Sequence, residues 1–194
     1  MLIFYGEKKS MFGLFKKKKP YEQESFDLFL NAQEASRNPY FYEELAAPDT
    51  TEGRYDLLLV HLFLIIHRVK GEQGGGALSQ ALFDSVFFNI DEGYREIGVG
   101  DMGVPKRIKK LMLAFNGRMH AYEKAIEIGE AELKAALDRN LYHEVQFKEG
   151  DTSILNAMSN YMRQNMTHLQ SQPITDIMGG TVNFIPPEKI AKEA

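Results

Sequence analysis

The fold of this chain is decided by the stretch from Tyr55 to Val69, which reads YDLLLVHLFLIIHRV. Between Leu57 and Ile66 every residue except His61 is apolar, so a helix formed here has almost no polar side to turn towards water. A helix that crosses a bilayer needs about 20 consecutive apolar residues, and this run is shorter and ends at His67. The pattern therefore predicts a helix buried at the centre of a helical protein rather than a membrane span.

Amphipathic patterns on both sides of this stretch predict the rest of the fold. Asp49, with Glu52 three residues later, resembles a capping box that opens the central helix. Apolar residues recurring at helical spacing, with glycine and proline at the ends, predict helices over residues 21–36, 39–45, 77–97, 104–128, 130–140 and 151–169, and a further turn at 173–180. The predicted fold is all-α, an irregular helical bundle of about seven helices around a hydrophobic central helix.

Length and composition bound the domain organisation and the partners. The 194 residues are enough for one hydrophobic core, and we predict a single helical domain at 21–180 between a basic, flexible N-terminal tail at 1–20 and an extended C-terminal tail at 181–194. The absence of cysteine excludes disulfides, thiolate metal sites and cysteine nucleophiles. A net charge of -4 is unsuited to tight nucleic-acid binding over the whole surface, so DNA is not expected as a partner.

One basic patch stands out near the N-terminus. It consists of Lys16, Lys17, Lys18 and Lys19, preceded by Phe12, Leu14 and Phe15. Lysines beside bulky apolar residues suit an anionic membrane, where each lysine contributes about 1 kcal/mol. Ribosomal RNA would attract the same charges, and a solvated tail is the remaining interpretation.

The sequence contains no arrangement of residues typical of an active site. His61 and His67 are six residues apart, so on one helix they point about 120 degrees away from each other and cannot share a metal. His120 and Glu123 stand in the reverse of the order used in di-iron bundles. The glycine-rich segment 71–76 lacks the Gly-Lys-Ser/Thr ending of a phosphate-binding loop. We therefore predict no enzymatic activity, no metal, no cofactor and no small-molecule substrate.

Three features of the predicted helices are typical of a surface that holds another polypeptide. Phe88 lies among charged residues, so it is either packed under another element or available to a partner. A track of small residues lets a second helix approach closely, either within the bundle or from a partner. The track consists of Ala114, Gly117, Ala121 and Ala125. A methionine-rich helix face, either core or an adaptable binding surface, consists of Met158, Met162 and Met166.

Several segments resemble a known protein family in their exact residues, and not only in their helical pattern. They are YDLLLVHLFLIIHRVKG from Tyr55, REIGVGD (Arg95 to Asp101), VPKRIK (Val104 to Lys109) and FNGRMHAYEKA (Phe115 to Ala125). Many residues of several types match in order and in spacing. Over residues 55–126, rather more than a third of the chain, the sequence closely resembles the ubiquinol-cytochrome c chaperone family.

That resemblance implies an assembly chaperone that binds newly made cytochrome b, before or during haem insertion, and assists biogenesis of respiratory complex III. Mitochondrial relatives act at the matrix side of the inner membrane, with a small partner protein and near the ribosomal exit. Without an evident long transit sequence, this chain resembles a bacterial member that acts in the cytoplasm, peripherally at the inner membrane. The alternatives are a membrane-surface helical adaptor unrelated to cytochrome b and a helical metal-dependent enzyme.

The candidate client or partner contacts lie on the second and third helices of the resembling region and in the turn between them. They are Asp84, Phe88, Asp91, Arg95, Asp101, Lys106, Lys110, Arg118 and Tyr122. Phe88 and Tyr122 are expected to act as aromatic anchors. The charged residues are expected to complement charges of the partner and so to set the register in which it binds. For Arg95, Asp101 and Lys106, the alternative is an ion network that holds the turn at 98–103. The candidate contacts with a membrane or the ribosome are Lys16, Lys17, Lys18 and Lys19.

Overall fold

The computed structural model of the protein describes residues 20–98 and 103–191, where all the regular secondary structure is helical. In chain order the helices are α1 (Glu22–Ser36), α2 (Tyr40–Glu43), α3 (Thr51–Val69), α4 (Gly75–Glu96), α5 (Val104–Ile128), α6 (Glu130–Asn140), α7 (Ser153–Ser171), α8 (Ile174–Met178) and α9 (Pro187–Ala191). Six of these nine helices in the described ranges have seven or more residues. The all-α bundle predicted from the sequence is confirmed.

The hydrophobic helix α3 occupies the centre of the bundle. Every residue from Asp56 to Ile65 is buried, and so is Val69. Helices α1, α4, α5, α7 and α8 all pack against α3. Because burying one Leu, Ile or Phe side chain contributes about 1.5 to 3 kcal/mol, this helix is a major source of the stability of the fold.

The start of α3 differs in detail from the sequence prediction. Thr50, rather than Asp49, caps the helix, since its hydroxyl accepts a hydrogen bond from the Gly53 N–H at 3.0 Å. The Asp49 carboxylate instead pairs with the Arg54 guanidinium at 2.5 Å. Hydroxyls and carboxylates are both effective caps, so spacing alone does not separate two neighbouring candidates.

The other long helices surround α3. Helix α1 packs against α3 and α4, while α4 and α5 pack against each other and against α3. Helix α6 connects α5 to α7, which returns to α3. The rings of Phe83, Phe87 and Phe115 form an aromatic cluster between α4 and α5, with centroids 4.6 to 5.9 Å apart. This cluster holds the two helices together.

The C-terminal segment departs from the extended tail predicted for residues 181–194. Residues 181–186 have no regular secondary structure, but the short helix α9 follows them. Val182 and Ile190 are buried in the core, so this segment is part of the bundle. The prediction missed α9 because a helix of five residues is too short to produce a helical repeat in the sequence.

Candidate partner-binding surfaces

Four of the predicted contacts lie together on the outer face of α4. They are Asp84, Phe88, Asp91 and Arg95, spaced four, three and four residues apart. This spacing places them on one side of the helix over a length of about 17 Å. The Arg95 Nε donates a hydrogen bond to an Asp91 carboxylate oxygen at 2.7 Å, and Asp84 accepts one from the Gln80 amide at 2.9 Å.

Phe88 is exposed because of its place in the helical repeat. Its neighbours Val86 and Phe87 are buried. Phe88 follows Phe87 and therefore points about 100 degrees further round the helix, towards water. The Phe88 side chain is 64% exposed, so the interpretation that it packs under another element is wrong. Single apolar residues are common on protein surfaces, and the case for a binding site depends on what surrounds this ring.

The surroundings of Phe88 on α4 are acidic. From Asp84 to its end, α4 has four carboxylates, of Asp84, Asp91, Glu92 and Glu96, against the single cation of Arg95. All five side chains are at least partly exposed. An aromatic ring in an acidic surface is complementary to a partner that offers both apolar and basic side chains.

Helix α1 exposes further apolar residues that sequence reasoning did not assign to the surface. The helical pattern of α1 places Phe26, Phe29 and Leu30 on its apolar face, but Phe26 and Leu30 are 37% and 42% exposed. Phe29 is buried as this pattern predicts, and Leu28 is buried as well. The Ser25 and Ser85 hydroxyls lie 2.8 Å apart and join α1 to α4. The amphipathic pattern of α1 is weak, with apolar residues on more than one side, so the sequence alone did not show which face is buried.

Two of the predicted contacts on α5 belong to the interior. Tyr122 is fully buried and packs against Phe63 of α3, with the ring centroids 5.5 Å apart. Arg118 forms an ion pair with the buried Asp56, its Nε lying 2.7 Å from one carboxylate oxygen. Both residues stabilise the contact of α5 with α3, and we therefore leave them out of the binding surface.

The remaining predicted contacts fall on another helix or outside the described residues. Lys106 and Lys110 are exposed on α5, and the neighbouring Arg107 guanidinium lies 5.5 Å from the centre of the Tyr94 ring of α4. Asp101 lies outside the described residues, so an ion network around it stays a prediction. Lys16, Lys17, Lys18 and Lys19 also lie outside the described residues.

The small-residue track and the methionine face lie in different environments in the structure. Gly117 is exposed, and a Cβ atom added to it would have no neighbour within 4 Å, so the bundle makes no close helix contact there. Ala125, at the other end of the track, is buried. Met158 and Met162 are fully buried and belong to the core rather than to an adaptable surface.

Two polar clusters involve titratable side chains within the bundle. His61 is fully buried, its Nδ1 lying 2.9 Å from the Leu57 carbonyl oxygen and its Nε2 2.8 Å from the Tyr161 hydroxyl. Burial lowers the pKa of His61 to about 4, because the charged imidazolium has lost its water. Between α3 and α5, Glu123 accepts hydrogen bonds from His67 and Lys70. Desolvation opposes this charge, but the two donors outweigh it and lower the pKa of Glu123.

Neither cluster has the composition of a catalytic or metal centre. Within residues 20–98 and 103–191, no three histidine or carboxylate side chains are placed to hold a metal ion. A shallow depression of about 1030 Å³ runs along α7, and most of its lining is uncharged polar side chains such as Asn156, Asn160 and Thr167.

The comparison with protein families agrees with this description. The sequence model described as ubiquinol-cytochrome C chaperone matches residues 43–184, which include all of α3, α4 and α5. This protein belongs to the ubiquinol-cytochrome c chaperone family. The resemblance found in the sequence over residues 55–126 is confirmed, and the match extends beyond it in both directions.

A solved structure is similar in both fold and sequence. The crystal structure of the Cbp3 homologue from Brucella abortus has a TM-score of 0.74 with this chain and 33% sequence identity, over 88% of this chain and 93% of that chain. Among curated proteins, none matches the sequence. None of the helices in the described ranges combines the length and hydropathy needed to cross a membrane.

Proposed function

We propose that this protein is an assembly chaperone that binds newly made cytochrome b and assists biogenesis of ubiquinol-cytochrome c reductase, respiratory complex III. It acts without catalysis, at the cytoplasmic face of the inner membrane, or at the matrix side in a eukaryote. The observation that carries this proposal is the exposed Phe88 ring within the acidic face of α4, in a chain that belongs to the ubiquinol-cytochrome c chaperone family. A small partner protein and the ribosome are further proposed partners, without an assigned surface.

The chemistry of the client explains why such a face would be useful. Membrane-protein helices are apolar along their length, and their cytoplasmic flanks have an excess of Lys and Arg. Phe88 provides an aromatic anchor for the apolar part, while Asp84, Asp91 and the neighbouring glutamates are complementary to the basic flank. We therefore propose that α4 binds a segment of cytochrome b where an apolar helix meets its basic flank.

Site-specific photocrosslinking tests the proposal. A photoreactive phenylalanine replaces Phe88 in cells that synthesise radiolabelled cytochrome b, and the control position is Asp138, which is exposed on α6. We expect a labelled adduct from position 88 and none from position 138. Equal labelling from both positions, or no cytochrome b in the adduct from position 88, would contradict the proposal.

A membrane-surface adaptor unrelated to cytochrome b is the second candidate function. The observation that favours it is the exposed basic face of α5, which includes Lys106 and Lys110. An adaptor of this kind would support normal amounts of complex III when Phe88 is replaced by alanine. It would also give photocrosslinks from position 88 to proteins other than cytochrome b.

A further inference from the structure

The outer face of α5 is basic, although the protein as a whole has a net charge of -4. It presents four exposed lysines, Lys106, Lys109, Lys110 and Lys124, together with two exposed aliphatic side chains, Leu113 and Ile128. At about 100 degrees per residue, these six positions fall within an arc of about 100 degrees. They extend over about 33 Å of the helix axis and form one stripe, in which Gly117 and His120 separate Leu113 from Lys124. His120 and Glu127 lie on the same face.

In the first half of α5, no acidic residue compensates the charge of Lys106, Lys109 and Lys110. The sequence from Val104 to Tyr122 contains no Asp or Glu, whereas the whole protein has a net charge of -4. The first two turns of α5 contain three of the lysines and Arg107, although the positive end of the helix dipole is unfavourable for cations. An anionic partner at this surface would offset that repulsion.

The apolar members of the stripe indicate what kind of anion fits. Leu113 is 66% exposed and Ile128 62% exposed, which are among the highest values for large apolar residues in the described ranges. Lysines interspersed with exposed aliphatic side chains are typical of a helix that lies in the interface of an anionic membrane. Lysine amines bind the headgroups, and the aliphatic side chains enter the boundary between headgroups and acyl chains.

We propose that the outer face of α5 is the surface on which this protein docks onto an anionic lipid bilayer. Phospholipid is favoured over RNA because a phosphate backbone gives Leu113 and Ile128 no apolar contact, and the stripe contains lysine rather than arginine. This assigns Lys106 and Lys110 to lipid instead of to the client. The face of α4 that includes Phe88 then remains available for a protein. Docking through α5 rests on the membrane location given in the proposed function. Because lipid binding is measured without cytochrome b, its failure is distinguishable from a failure of client binding.

Vesicle flotation with two matched double variants of the full chain tests the proposal. Lys106→Gln/Lys110→Gln removes two charges from α5, and Lys148→Gln/Lys189→Gln removes two exposed charges elsewhere. With vesicles containing one anionic phosphatidylglycerol for every two phosphatidylcholine molecules at low salt, we expect the α5 variant to lose at least about tenfold in partition constant. The control variant should bind like the parent, and circular dichroism and melting should show that both fold. Equal binding by the two double variants would overturn the proposal.

A second variant separates the apolar contribution from the charge. Leu113→Asn keeps every lysine, so it should bind at low salt but lose the binding that persists when salt screens the charges. Pure phosphatidylcholine vesicles should bind weakly in every case. A short RNA duplex provides the competing test. If the α5 double variant loses RNA binding while its vesicle binding stays unchanged, the surface recognises nucleic acid and the lipid assignment is wrong.

Discussion

Arg118 of α5 neutralises Asp56, a carboxylate inside the core of α3. The Arg118 Nε lies 2.7 Å from one Asp56 oxygen, and a terminal guanidinium nitrogen donates to the other at 2.8 Å. The Asp56 side chain is only 2% exposed. Burial raises the pKa of Asp56, and the guanidinium pulls it back only in part. The pair therefore attaches α5 to α3, and an unpaired charge would remain in the core without it.

Arg118→Ala is expected to destabilise the protein by about 3 to 5 kcal/mol, because it leaves a buried carboxylate without its partner. Urea unfolding followed by circular dichroism measures the change. The matched control is the double variant Asp56→Asn/Arg118→Ala, which contains no buried charge. We expect the double variant to be more stable than Arg118→Ala alone. The opposite order would show that Arg118 acts through packing rather than through charge.

The same pair has a pH dependence with a defined sign. The folded-state pKa of Asp56 lies above the unfolded value, so the folded protein binds more protons in that interval and loses stability as pH rises through it. Removing Arg118 raises the folded-state pKa further. The stability deficit of Arg118→Ala should therefore shrink when pH is lowered through the raised pKa, because a neutral carboxyl needs no cation. A deficit that is constant with pH would contradict this account.

His61 should make the protein sensitive to acid. Its folded-state pKa of about 4 is below the ordinary histidine value of about 6.5, so the unfolded chain binds the proton more readily. The free energy of unfolding should fall by about 3 kcal/mol between pH 6.5 and pH 4 on account of this residue. His61→Gln retains a polar group near Tyr161 but does not titrate, so its stability should vary less with pH over the same interval. Parallel pH curves for the two proteins would exclude this assignment.

Much of the core could be predicted from the sequence because hydrophobic periodicity is a local signal. The apolar run from Leu57 to Ile66 predicted the buried helix α3. The partner of Asp56, by contrast, could not be identified. A carboxylate among apolar residues requires a cation, but spacing within one helix does not show which distant residue supplies it. Tyr122 has the helical spacing of the apolar residues of α5, such as Phe115. That spacing predicts its buried location correctly, whereas its aromatic type led to the wrong prediction of a binding role.

The two glycines Gly117 and Gly53 should respond in opposite ways to alanine. Gly117 lies on the exposed side of α5 with open space around it, so Gly117→Ala should stabilise the protein by about 1 kcal/mol through helix propensity. In α3, a Cβ atom on Gly53 would collide with the Pro48 carbonyl oxygen, so Gly53→Ala should destabilise the fold. Thermal melting of the two variants measures both effects. If Gly117→Ala lowers the melting temperature, this position has a close neighbour that the described contacts do not include.

The candidate surface was harder to predict than the core, since exposure depends on how helices pack. The spacing of Asp84, Phe88, Asp91 and Arg95 placed them on one face of a helix. Whether another element covers that face depends on the aromatic cluster between α4 and α5, which turns Phe87 inwards and Phe88 outwards. The methionine stripe of α7 gave an equally regular pattern, yet Met158 and Met162 are buried.

Phe88→Ala should leave folding unchanged and weaken client binding. Because the ring is 64% exposed, the free energy of unfolding should change by less than about 0.5 kcal/mol. An aromatic anchor at the centre of an interface commonly contributes about 2 kcal/mol, so the affinity for cytochrome b should fall about thirtyfold. Arg95→Ala removes the pair with Asp91 within the helix, which contributes a few tenths of a kcal/mol to the stability of α4.

The two variants are compared at equal folding, verified by circular dichroism and melting, through the amount of complex III that accumulates in cells. Arg95 is the cation in a surface of carboxylates, so Arg95→Ala makes the outer face of α4 more acidic and should strengthen the attraction of a basic client flank. We therefore expect less complex III with Phe88→Ala and no loss with Arg95→Ala. Wild-type amounts of complex III in a well-folded Phe88→Ala strain would mean that the client binds elsewhere. The exposed apolar pair Phe26 and Leu30 of α1 would then be the next surface to test.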